Sequence, residues 1–254
     1  MECRSKRERL STSHFLWATG KNGLNIAGRG RSRDIAGANH HGSETPAVLE
    51  KTIIDASSCR VQQFIQANLP VAPVPTVPEL RLHRAGPKSR LSRLAELDED
   101  FGAPYWAYEW GGGLALARHI LDHPEIVVGR KVLDLGAGSG IVAIAAAKSG
   151  ARKVIAADTD RYALAAIRLN ATVNEVRVLA FLGDMTSEAP PAVDVVLVGD
   201  LFYAQDLAQR VTTFLERCIE CNIEILIGDP KRAFLPRARL ELLAEYPGSD
   251  FGCG

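Results

Sequence analysis

Four residues at the end of one apolar run carry much of the chemistry available to this chain. Val193 to Gly199 reads as a buried strand, and Asp200, Leu201, Phe202 and Tyr203 follow it directly. An acid beside two aromatic rings suits a cation: Asp200 can hold an ammonium by a charged hydrogen bond while Phe202 or Tyr203 flanks it through a ring face. The plainer roles are a helix N-cap for Asp200 and core packing for Phe202. A second set of chemical residues lies in KVLDLGAGSG, Lys131 to Gly140. Its glycines, Gly136, Gly138 and Gly140, allow a tight turn and let a ligand come close to the main chain. Their spacing differs from the G-x-G-x-x-G of dinucleotide enzymes, whose pyrophosphate sits at a helix N-terminus. Asp134, just before the glycines, suits instead a ligand with a positively charged amino-acid end. Asp158 lies about twenty residues past the glycines, the separation at which a carboxylate on the next strand can accept from a ribose diol. Asp184, after Gly183, is placed to meet an adenine amino group or to serve as an ordinary turn residue. S-adenosyl-L-methionine, a nucleoside joined to a charged amino-acid end, is such a ligand, and a Gly-rich turn without a ligand is the plainer reading of the glycines.

The elements that must position these residues follow from the apolar pattern. Val132, Leu133 and Leu135 form a short buried strand, the glycines end it, and the Ala-rich IVAIAAA starts a helix. Lys153 to Asp158 is a second strand, and Thr159 or Asp160 can cap a helix from Tyr162 to Asn174 with Leu164, Ile167 and Leu169 on its buried side. A third strand runs from Val176 to Phe181. After Tyr203 come a helix from Ala204 to about Glu220, a fifth strand Glu224 to Gly228, then Asp229, Pro230 and an expected helix from about Phe234 to Tyr246. In an open α/β sheet the ligand lies beyond the carboxyl ends of the strands, which is where Asp158, Asp184 and Asp200 fall.

Upstream, FGAPYWAYEWGGG (Phe101 to Gly113) places Tyr105, Trp106, Tyr108 and Trp110 between a proline and three glycines, ahead of a helix whose face is Leu114, Ala117, Ile120 and Leu121. These rings can lie over a ligand, or Trp106 can plug the sheet edge. Before them, a short helix from near Ser57 to Leu69, an extended stretch through Pro70, Pro73, Pro75 and Pro78 into a strand at Leu80 to Leu82, and the helical spacing of Leu91, Leu94 and Leu97 are packing features.

Composition bounds the class. The 254 residues are 46% hydrophobic and 24% charged, and 30 basic residues balance 30 acidic ones, so nothing global points to nucleic acid or an anionic membrane. Five irregularly spaced cysteines fit a reducing compartment, and the C-x-x-C of Cys218 and Cys221 lacks a second pair to complete a metal site. Met1 to Arg33 carries eight Lys or Arg against two Glu without an apolar period, so residues 1–60 are expected to be a disordered or non-native extension; a mitochondrial transit peptide has a similar composition. Residues 61–254 then form one α/β domain.

VPELRLH, PYWAYEWGGG, VLDLGAGSG, GDLFY and IGDP together resemble the class I seven-stranded S-adenosylmethionine-dependent methyltransferases. Among these the chain is most similar to the lysine methyltransferases of the electron transfer flavoprotein beta subunit, whose D-x-F-Y signature GDLFY matches. A proline is frequent in that family at Gly111, a mild departure. The resemblance implies an α/β, Rossmann-like seven-stranded methyltransferase sheet with helices on both faces. It also implies S-adenosyl-L-methionine as cofactor, no metal, and a protein substrate with the flavoprotein beta subunit foremost. It places Asp134, Gly136, Gly138, Gly140, Asp158, Asp184 and Trp110 at the cofactor and Asp200, Phe202 and Tyr203 at the catalytic end. A monomer acting in the cytoplasm, or else the mitochondrial matrix, is expected, without nucleic acid or membrane as partner. The alternatives are methylation of another protein, such as a ribosomal one, a non-catalytic nucleoside-binding module, and a nicotinamide dehydrogenase, which the glycine spacing disfavours. Sheets of this superfamily normally end in an antiparallel pair of strands, and PGSDFGCG (Pro247 to Gly254) is too short to supply it. The expectation is therefore a truncated sheet lacking its last one or two strands, with the fifth strand exposed as an apolar edge.

Overall fold

The computed structural model describes residues 13–18, 56–98 and 101–247. Five parallel strands form the centre of a sheet: β4 (Lys131–Leu135), β5 (Lys153–Asp158), β6 (Leu179–Leu182), β7 (Val195–Gly199) and β8 (Glu224–Asp229). β5 and β7 flank β4, β6 lies beyond β5, and β8 lies beyond β7, all parallel. Strands buried on both faces read as continuous apolar runs, and β7 (VVLVG) does so, while β4 (KVLDL) is buried with Asp134 in its interior.

Alternate residues divide the core into two layers. Val132, Val195 and Leu197 face α3 (Gly111–Asp122), α4 (Ile141–Lys148) and α5 (Arg161–Val173), where Leu116, Ile120, Ile144 and Ile167 meet them. Leu133, Leu135, Val196 and Val198 face α6 (Gln205–Glu220) through Val211, Phe214 and Leu215. This is the expected α/β sheet with helices on both faces. α3 packs directly on the sheet: a Cβ on Gly112 would lie 2.1 Å from the Gly228 carbonyl oxygen, so only glycine permits the approach. Cys218 is buried near the end of α6 and Cys221 caps it, in keeping with a packing role.

Two expectations about the sheet edge are overturned. The segment expected as a final helix is a strand, β9 (Glu241–Pro247), preceded by a single 3-10 turn at Arg237–Arg239. The fifth strand, β8, is no free edge. β1 (Ser13–Ala18) inserts between β8 and β9, antiparallel to both, pairing Leu16 with Gly228 on one side and with Ala244 on the other. Among the described residues the sheet thus has seven strands, in the order β6-β5-β4-β7-β8-β1-β9. Leu16 is buried in one core layer and Trp17 in the other, so residues 13–18 belong to the folded core and not to a disordered extension. A strand buried on both faces and both edges is held by its partners, which its own composition does not reveal. The rest of that expected extension up to residue 55 lies outside the described residues.

The remaining elements cover one end. α1 (Ala56–Asn68) packs on α5, and the hairpin β2 (Val71–Val74) and β3 (Val77–His83) is fastened to it by side-chain amides. Asn174 accepts from the Arg81 N–H and donates to its carbonyl, and Asn170 accepts from the His83 N–H at 2.8 Å. The expected Leu91–Leu97 helix is α2 (Ser92–Leu97).

Candidate active site

The chain runs outward from β4 in one direction to β5 and β6 and in the other to β7 and β8, so a crevice opens at the carboxyl ends of these strands. A cleft of about 380 Å³ occupies it. Its walls include Gly136 and Gly138 from the β4 turn, Asp158 from β5, Asp184 after β6, Asp200, Leu201 and Tyr203 after β7, and Trp110 from the start of α3.

The glycine turn is built by backbone bonds to β5. Gly136 and Ala137 donate to the Ala157 carbonyl at 2.9 and 3.0 Å, and Gly138 donates to Asp158 Oδ2 at 2.8 Å. Gly136, Gly138 and Gly140 all have positive φ, at 67°, 52° and 81°. Gly140 is not on the cleft wall, contrary to expectation. It caps α4, and a Cβ there would come within 3.1 Å of Ile167, so its role is conformational. Asp134 is likewise corrected: it is 1% exposed, lies beneath the turn and accepts from the Ala143 N–H at 2.9 Å. Burial pushes its carboxyl up to about 7. It fastens α4 to β4 and does not line the cleft.

Asp158 is where the sequence placed it. Its two oxygens accept from Gly138 N and Asp160 N, which opposes the upward push of burial on its carboxyl. Asp160, and not Thr159, caps α5 by accepting from Tyr162 N at 2.7 Å. Asp184 accepts from both the N–H and the hydroxyl of Thr186, so it fixes the turn after β6 and lines the cleft as well. Trp106 is 2% exposed in the cleft wall, parallel to the Tyr162 ring, and its Nε1 has no partner.

The four residues after β7 divide sharply. Phe202 is fully buried in the α6 layer among residues such as Val198 and Phe214, so it flanks no cation, and its expected catalytic place is corrected to core packing. Tyr203 points the other way and is 50% exposed at the mouth, its ring 5.9 Å from Tyr105, which in turn stands 5.7 Å from Trp110. Asp200 has a positive φ of 56° and is buried. Its Oδ2 accepts from the N–H groups of Gly112 and Gly113, and its Oδ1 accepts from Nε and Nη2 of Arg232 at 3.1 and 3.0 Å. The acid read as an ammonium holder therefore has its acceptor capacity met inside the protein.

Arg232 is the residue that sequence reasoning missed. Asp229 Oδ1 accepts from its backbone N–H at 2.6 Å, and its guanidinium lies 5.7 Å from the Trp110 ring centre. Asp229 is fully buried, with Oδ2 unpartnered, and burial pushes its carboxyl up to about 6. The one available signal was IGDP, an acid at a strand's carboxyl end with a cation three residues on.

A family model described as Ribosomal protein L11 methyltransferase (PrmA) matches residues 119–218. Electron transfer flavoprotein beta subunit lysine methyltransferase of Xenopus laevis is 39% identical over 196 residues, 74% of this chain and 79% of that protein. The proteins of the same name from Rattus norvegicus and Mus musculus are each 34% identical, over 77% and 80% of this chain and 80% and 82% of their own lengths. The chain belongs to the electron transfer flavoprotein beta subunit lysine methyltransferase family. It is a methyltransferase, and in this methyltransferase the ribosomal-protein match spans the segment from α3 into α6, including the glycine turn, Asp158 and the residues after β7. Among the described residues there is no cluster of three metal-ligating side chains, and no helix is long and apolar enough to cross a membrane.

Proposed function

We propose that this methyltransferase uses S-adenosyl-L-methionine to methylate a lysine ε-amine of the electron transfer flavoprotein beta subunit. The observation that carries the reading is a cleft that joins a glycine turn and an acid-tipped strand to an exposed aromatic mouth. The substrate is supported by the relatives, which are electron transfer flavoprotein beta subunit lysine methyltransferases. A cleft of about 380 Å³ is in the range of small-ligand pockets. Asp158 is placed for a ribose diol, and Asp184 and Thr186 lie at the nucleoside end. The acidic lining suits a net positive cofactor.

When bound, the cofactor supplies an electrophilic methyl group on a sulfonium sulfur. The lysine amine must reach that methyl in line and unprotonated, and at a pKa near 10.4 deprotonation at pH 7 costs about 5 kcal/mol. Tyr105 and Tyr203 at the mouth exclude water from the lysine stem, and desolvation favours the neutral amine. Arg232 and two backbone N–H groups meet the charge of Asp200, so the carboxylate does not hold the lysine as an ammonium. Asp200 positions neighbouring elements and is not the base.

The ribosomal-protein family match favours a second reading, a different protein substrate. Incubating the chain with methyl-labelled cofactor and, separately, purified flavoprotein beta subunit and ribosomal protein L11 tests both. Mass spectrometry is expected to find methyl-lysine on the former; label confined to the latter overturns the substrate. The free thiols Cys59, Cys218 and Cys221 support a reducing compartment, and we place a monomeric enzyme in the cytoplasm, or alternatively the mitochondrial matrix.

A further inference from the structure

The cleft is unevenly charged. Asp158, Asp160, Asp184 and Asp200 line it, and among its described lining residues Arg232 is the one cation. The cofactor of the proposed reaction carries two cations, a sulfonium and an α-ammonium, and one anion, an α-carboxylate. Acidic walls match the cations; the carboxylate needs a cation or N–H donors, because leaving it unpaired in a cleft is costly.

The order of strand tips fixes which end of the ligand lies where. Asp184 follows β6, Asp158 ends β5, Gly136 and Gly138 follow β4, Asp200 follows β7 and Arg232 follows β8. A nucleoside held at the β6 and β5 tips therefore directs its amino-acid end across the glycine turn toward Asp200 and Arg232. Asp134, the residue expected to meet that end, is buried beneath the turn. Asp200 is saturated by two backbone N–H groups and by Arg232.

Arg232 is held ready. Its backbone is pinned to Asp229, Lys231 before it has a positive φ of 69°, and its guanidinium is aligned by Asp200 and set near the Trp110 ring. The side chain is 25% exposed on the cleft wall. A guanidinium presents a planar fork that matches a carboxylate. We propose that Arg232 receives the α-carboxylate of the cofactor's methionine end, with Asp200 acting only to position it. The proposal rests on the cofactor reading above and adds the residue that reads the amino-acid end.

The test is calorimetry with S-adenosylhomocysteine and its decarboxylated analogue, on the wild-type chain, Arg232→Gln and Arg232→Lys, with melting curves to compare folding. The wild-type chain is expected to prefer S-adenosylhomocysteine by about 10- to 100-fold, the value of a charged hydrogen-bonded pair. Arg232→Gln should lose that preference through weaker binding of S-adenosylhomocysteine alone, and Arg232→Lys should keep part of it. If the wild-type chain binds both ligands alike, or Arg232→Gln keeps the preference, the proposal is wrong. Should Arg232→Gln fail to fold, Arg232→Lys decides, since an unchanged preference there together with unchanged affinity overturns a role for the planar fork. A folded wild-type chain that binds neither ligand overturns the cofactor reading itself, an outcome distinct from failure at Arg232.

Discussion

Asp200 and Arg232 form an ion pair at 3.0 and 3.1 Å that ties the tip of β7 to the segment after β8, while the second oxygen of Asp200 accepts from the first turn of α3. One carboxylate thus connects three elements at the end of the cleft. Asp200→Asn keeps the shape but removes the charge that aligns Arg232, so both melting temperature and S-adenosylhomocysteine affinity should fall. Asp200→Ala also removes the α3 cap and should melt lower still, by the equivalent of about 1 kcal/mol. Loss of turnover alone, with melting and affinity intact, would assign Asp200 to the substrate.

Asp158→Ala should weaken S-adenosylhomocysteine binding by about 1 to 3 kcal/mol, because the ribose hydroxyls lose a charged acceptor. Calorimetry measures this directly. Unchanged affinity in a folded variant would move the ribose elsewhere.

Neighbouring aromatics should fail in different ways. Tyr203→Ala and Tyr105→Ala, at the exposed mouth, should lower kcat/KM for the protein substrate several-fold with cofactor affinity and melting preserved. Phe202→Ala, fully buried, should cost about 3 to 5 kcal/mol of stability. Denaturant titration beside steady-state kinetics separates the two; a Tyr203 variant that loses stability but not kcat/KM would make that ring structural.

Leu16 tests the seating of β1. Leu16→Ala should cost about 2 to 5 kcal/mol, since the side chain is fully buried in the sheet. An unchanged melting curve would return residues 13–18 to a solvated tail.

Two opposing pH effects on stability are expected. Burial pushes Asp134 up to about 7 and Asp229 up to about 6, against about 3.9 in the unfolded chain. The folded state then binds protons more tightly, so stability falls as pH rises from about 4 through these values. His119, buried with Nδ1 2.7 Å from the Tyr246 hydroxyl, is pushed down to about 4 mainly by burial, so the unfolded state binds the extra proton and stability is lost as pH falls from about 6.5 toward 4. Asp134→Asn, whose amide oxygen can still accept from Ala143 N, should shrink the loss on the alkaline side. His119→Phe should shrink it on the acid side. Melting curves across the range check both, and a variant with an unaltered pH slope refutes its own assignment.

Strand, turn and helix around the β4 glycines, the acid at the tip of β5 and the tetrad after β7 were legible because each is encoded in contiguous residues: an apolar run, residues that admit positive φ, and a change of period. The same adjacency cannot say which side of the chain each residue presents. Phe202 and Tyr203 are neighbours of similar chemistry, and only the register of β7 against α6 sends one into the core and the other to the mouth. Asp134 looked like a ligand because it precedes the glycines; the turn folds over it and gives it the Ala143 N–H instead.

The sequence by itself determined the glycine turn and the acids at the strand tips, since these depend on local backbone geometry. The tertiary structure alone decided how the sheet is completed and how the end of the cleft is charged. β1 pairs with strands more than two hundred residues away, and β9 is a strand because β1 offers it hydrogen bonds. Arg232 meets Asp200 across 32 residues because β7 and β8 are parallel neighbours with their carboxyl ends together. Such pairings arise from which tips and edges the fold brings side by side, and no local pattern carries that information.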